Sequence, residues 1–113
     1  MTLVDSSFLA GLEQLRSDYR RSLPRQLTRI SALWQQALHG ENPAEALATL
    51  ERCAHSLAGS GGTFGCSDMG DAARELELAV TPLLETASNL TTTAQADVSR
   101  AIELLRCSLP DAT

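Results

Sequence analysis

The sequence predicts an all-α protein, an up-down antiparallel four-helix bundle with a short additional helix at its N-terminus. Three observations predict it. Apolar residues recur at spacings of three and four along most of the chain. Ala and Leu, both good helix formers, dominate the apolar set, while aromatics amount to Phe8, Tyr19, Trp34 and Phe64. The breaks between apolar stripes are short, which favours antiparallel neighbours. At 113 residues the chain suits one domain, residues 1–113, with one continuous core.

Each element has its own signal. Asp5, Ser6 and Ser7 offer N-caps for the short first helix, which carries Phe8, Leu12 and Leu15. Pro24 then interrupts the pattern and should kink the chain or start the next helix. The second helix has the stripe Leu23, Leu27, Ile30, Trp34 and Leu38, and Gly40 offers it a left-handed cap. Asn42, Pro43 and Glu45 form a helix start, with Glu45 placed to reach back as in a capping box. From there Leu47, Leu50, Ala54 and Leu57 trace one face. Ser67 and Asp68 are a cap signal for a helix bearing Ala72, Leu76, Ala79 and Leu83. Thr91, Thr92 and Thr93 can cap the last helix, with Val98, Ile102, Leu105 and Leu109 inward and Pro110 as the stop.

Composition removes several functions. A net charge of −5 argues against nucleic acid as the main partner, because a phosphate backbone demands a basic face. No apolar run approaches the roughly 20 residues of a bilayer span, and no basic stretch leads into an apolar one near Met1. The expected location is therefore cytoplasmic. Cys53, Cys66 and Cys107 are odd in number and widely spaced, which suits reduced thiols better than disulfides or zinc. A carboxylate-bridged metal site would want repeated Glu-x-x-His motifs, and neither His39 nor His55 stands three residues after a Glu.

The chemistry concentrates between His55 and Gly65. On a helix, His55 lies roughly 80–160° from Leu47, Leu50, Ala54 and Leu57, on the solvent flank of that stripe. Ala58, Gly59 and Gly62 follow it on the same side. Glycines inside a helix cost about 1 kcal/mol each relative to alanine. The run either ends the helix in a loop or allows close approach by another molecule or helix. It is not a P-loop, since no Gly-Lys-Ser/Thr follows and no strand precedes it.

The stretch from Ala54 to Glu77 resembles the signature of the histidine-containing phosphotransfer (HPt) domain family. The places of that signature are held here by His55, Leu57, Ala58, Gly59, Ser60 and Gly65, with Ala58 where the family commonly has Lys. The resemblance implies that His55 is the phosphoacceptor and that Glu77 on the next helix orients its ring. It also implies a docking surface drawing on Phe8, Leu12, Ala58, Gly59 and Gly62. Arg52 is a candidate cation in place of the missing Lys, and Arg21, Arg25 and Arg29 could steer an acidic partner.

The implied role is a stoichiometric phosphocarrier of a multi-step phosphorelay, a monomer that meets receiver domains and a hybrid sensor histidine kinase. The resemblance implies no cofactor on this chain, with Mg²⁺ and an acidic pocket supplied by the receiver. The alternative is a binding module on the same fold that regulates a kinase or response regulator without transferring phosphate.

Overall fold

A computed structural model describes residues 6–87 and 89–110. Four helices account for most of them: α1 Ser6–His39, α2 Pro43–Thr63, α3 Ser67–Val80 and α4 Thr92–Cys107. A single 3-10 turn, Thr81–Leu83, follows α3, and no strand occurs among the described residues. Successive helices pack in chain order, and α4 closes on α1, where the Trp34 indole Nε1–H donates to Ser99 Oγ at 3.3 Å.

The periodic stripes become the core. Leu23, Leu27, Ile30 and Trp34 of α1 are buried against Leu47, Leu50, Ala54 and Leu57 of α2, Ala72 and Leu76 of α3, and Val98, Ile102 and Leu105 of α4. Each fully buried Leu contributes about 1.5–3 kcal/mol. That scale explains the main departure from expectation: the separate N-terminal helix does not exist, because α1 runs unbroken through Pro24. An interior proline costs roughly 3 kcal/mol by removing one hydrogen bond and crowding the turn before it. Pro24 lies on the exposed side of α1, where water can replace the missing donor, while buried Leu23 and Leu27 anchor both flanks.

The helix ends follow local chemistry. Asn42 Oδ1 accepts from the Glu45 N–H at 3.3 Å, and its amide donates to Glu45 Oε2 at 3.0 Å, so the reciprocal cap is made through the side-chain amide. Thr91 Oγ1 accepts from the Ala94 N–H at 3.0 Å. Gly40 does not supply the expected left-handed cap; its N–H simply donates to the Gln36 carbonyl at 2.8 Å. The left-handed residue is Gly65, with φ of 78°. It ends α2 in a Schellman motif: Cys66 N–H bonds the Gly61 carbonyl at 2.7 Å and Gly65 N–H the Gly62 carbonyl at 3.3 Å. This turn also makes Cys66 the residue that precedes α3, so Ser67 is the first helical residue and no side chain caps that end.

Tyr19 fixes how α1 lies on α2. Its ring stacks on Phe64 with centroids 4.4 Å apart, and its hydroxyl shares a 2.5 Å hydrogen bond with Ser60 Oγ. Tyr19 therefore marks the C-terminal end of α2, and residues 6–18 of α1 run past it. On that overhang Phe8, Leu9 and Leu15 are exposed.

Candidate functional site

His55 projects from α2 between two residues that hold the helix in the core, Ala54 and Leu57. Its own side chain is 72 % exposed. Nδ1 meets Glu77 Oε2 at 2.6 Å, and the Glu77 side chain is 15 % exposed, so the carboxylate is held by its surroundings while the imidazole is not. Glu77 comes from α3, beside fully buried Leu76, and its position follows from the packing of α3 on α2. A carboxylate accepting from Nδ1–H selects one tautomer and leaves Nε2 with its lone pair free.

Glu51, one turn before His55 on α2, was not singled out in the sequence. One ligand atom from each of Glu51, His55 and Glu77 lies within 4.8 Å of the other two, close enough to share a divalent cation. The signal was the spacing of four between Glu51 and His55, which places both on one helix face. The immediate effect of Glu51 is electrostatic: a second carboxylate stands near a ring that would bear a phosphoryl group.

The glycines divide into two classes. At Gly59 and Gly62 a Cβ would meet nothing within 4 Å, and both are exposed. At Gly61 a Cβ would stand 2.7 Å from Gly70 Cα and 2.9 Å from the Cys66 carbonyl oxygen, so only glycine lets α2 and α3 approach there. The glycine run lies within α2 and does not end it early, since the helix continues to Thr63. Gly59 and Gly62 owe their small size to no contact within this chain. Together with half-buried Ala58 they leave low, open ground on the helix that carries His55.

The other expected site residues lie further off. Arg52 donates to Thr49 Oγ1 at 3.1 Å and lines a groove between α1 and α2 that His55 does not line. Phe8 and Leu12 sit on the overhang, about 16 and 10 Å beyond Tyr19 by helical rise. Arg21 is paired with Asp18 in the preceding turn.

The helical bundle thus presents one oriented, exposed histidine beside two glycines whose bare surface no contact within the chain requires. The Hpt domain profile matches residues 14–107, and the chain belongs to that family. Its class of activity is accordingly histidine phosphotransfer in two-component signalling. No curated protein and no solved structure matches the chain. Among the described residues no helix is long and apolar enough to cross a membrane.

Proposed function

We propose that the chain is a phosphocarrier of a multi-step relay, taking a phosphoryl group from a receiver aspartate onto His55 Nε2 and passing it to a second receiver. The observation that carries this reading is the combination of a 72 % exposed imidazole with Nδ1 engaged by Glu77. In the forward step the Nε2 lone pair attacks phosphorus, the P–O bond to the donor carboxylate breaks, and that carboxylate leaves with the electron pair. The ring becomes a phospho-imidazolium whose remaining proton sits on Nδ1 against Glu77. In the second step an aspartate carboxylate oxygen of the next receiver attacks phosphorus, the P–N bond breaks with its electron pair returning to Nε2, and the ring returns to neutral.

Such transfer needs positioning and charge compensation more than covalent machinery. This chain supplies a nucleophile on a packed helix, a proton-holding carboxylate and an unobstructed approach. The receiver supplies Mg²⁺ and the acidic pocket that holds it, and the carrier acts stoichiometrically in the cytoplasm. Incubation with a phosphorylated receiver should move acid-labile, alkali-stable label to the wild-type protein and none to a His55→Gln variant. Label on the variant, or none on the wild type from any receiver, would refute the reading.

A further inference from the structure

The groove between α1 and α2 has a volume of about 470 Å³ and is lined by Gln26, Arg29, Thr49, Arg52, Cys53 and Ser56. No acidic residue lines it. Neither Arg29 nor Arg52 has an acidic partner among the described residues, and neither does Arg25, exposed one turn before Arg29 on α1. By contrast Arg20, Arg21, Arg100 and Arg106 all pair with carboxylates. Among the described residues Arg16, on the overhang of α1, and Arg74, exposed on α3, also lack a carboxylate partner, but Arg29 and Arg52 are the two that line one groove together, in a chain of net charge −5. Arg52 is itself braced by Thr49, which holds the guanidinium on the groove wall. The groove borders the acceptor: Ser56 follows His55 in the chain, and Arg52 precedes it by one turn.

The immediate surroundings of His55 have the opposite sign. Glu51 and Glu77 stand beside the ring, and Ala58 contributes no charge. An incoming partner with an acidic phosphoacceptor pocket meets repulsion at the ring itself. Its attraction has to come from beside the ring.

We infer that the Arg29–Arg52 groove is an anion-recognition site for the receiver, taking carboxylates at the rim of that partner's phosphoacceptor pocket and setting its approach to His55. This inference rests on the phosphocarrier reading above. Two unpaired guanidiniums in a groove open to solvent act mainly through long-range attraction, which raises the encounter rate and weakens with salt. The Ser56 hydroxyl and the second amide hydrogen of Gln26, whose first is donated to Ser22, add short-range donors.

The test compares the wild type, Arg29→Ala/Arg52→Ala, Arg29→Lys/Arg52→Lys and Arg100→Ala, the last a cation on α4 outside the groove. The second-order rate of transfer from a phosphorylated receiver is measured at low and at physiological ionic strength. In parallel each protein is labelled with phosphoramidate, whose P–N bond breaks with loss of ammonia as the imidazole nitrogen takes the phosphoryl group, and which needs no docking. The double alanine variant should lose roughly tenfold in rate at low salt, on the scale of electrostatic steering. It should also show a flatter salt dependence, with unchanged phosphoramidate labelling. The lysine pair should keep most of the rate. Receiver transfer in the double alanine variant equal to that of Arg100→Ala would overturn the groove while leaving the phosphocarrier reading intact. Wild-type protein labelled by neither donor would overturn both.

Discussion

Two faces of α2, one residue apart, have been shaped by different demands. Gly61 faces inward, and its missing Cβ is required by the Gly70 backbone of α3. Gly59 and Gly62 face outward, where a Cβ would touch nothing. On the inner face small size serves the fold. On the outer face it carries a helix-propensity cost with no structural return, which is what a surface kept clear for a partner looks like. His55 shares that outer face, and Glu77 reaches it from α3.

The sharpest way to break this comparison is to fill each face with the same bulk. Gly59→Leu should leave thermal stability near the wild type and cut the rate of transfer from a receiver by tenfold or more, with phosphoramidate labelling kept. Gly61→Leu should fail to fold or melt far lower, because overpacking into backbone has no low-cost relief. The milder Gly61→Ala is expected to cost about 1–3 kcal/mol in a denaturant titration. Equal effects at the two positions would erase the distinction. On the outer face, Gly59→Ala should instead gain up to about 1 kcal/mol of helix stability.

A second contrast lies between the carboxylates near His55. Glu51→Gln removes a charge whose carboxylate lies within 4.8 Å of a His55 ring nitrogen, and in a largely aqueous setting its repulsion of a phosphoryl group there is worth about 1 kcal/mol. The transfer equilibrium with a receiver should shift severalfold toward phosphohistidine. Glu77→Gln should act in the opposite sense, slowing phosphorylation of His55 and speeding return of the phosphoryl group, because the amide no longer stabilises the ring cation. Quench-flow rates in the two directions separate these cases.

The remaining effect is on stability, at the junction that carries the overhang. Tyr19→Phe keeps the stack on Phe64 and loses the bond to Ser60, a loss of about 0.5–1.5 kcal/mol. Burial raises the Tyr19 phenol above its ordinary value of 10.0, although the Ser60 hydrogen bond works in the opposite direction. The folded state therefore holds this proton more tightly than the unfolded one. Its contribution is complete below the unfolded value and declines as pH rises through the folded value. The Phe variant should lose less stability than the wild type in that alkaline window, as followed by melting temperature against pH.

Much of this was legible in the sequence because the signals were periodic or local. The buried set of α2, from Leu47 to Leu57, follows directly from apolar spacing, and the Asn42 and Thr91 caps from short polar motifs. The exposure of His55 followed from its angle to that stripe. What escaped depended on the balance of tertiary terms or on proximity between elements. Pro24 signalled a break, yet core packing on both sides carries α1 through it. The different burdens of Gly59 and Gly61 needed the position of α3. The grouping of Arg29 with Arg52 needed α1 laid against α2, whereas the Glu51–His55 spacing of four is present in the sequence and differs from the Glu-x-x-His spacing of carboxylate-bridged metal sites.

The phosphocarrier role turns on Glu77 holding Nδ1 so that Nε2 alone is open to a partner. Phosphorus and nitrogen NMR of the ¹⁵N-labelled, phosphorylated protein reads that directly. The expected result is a single phosphohistidine at His55 with the P–N bond at Nε2 and a proton retained on Nδ1. A phosphoryl group on Nδ1, or on any other residue, would contradict it.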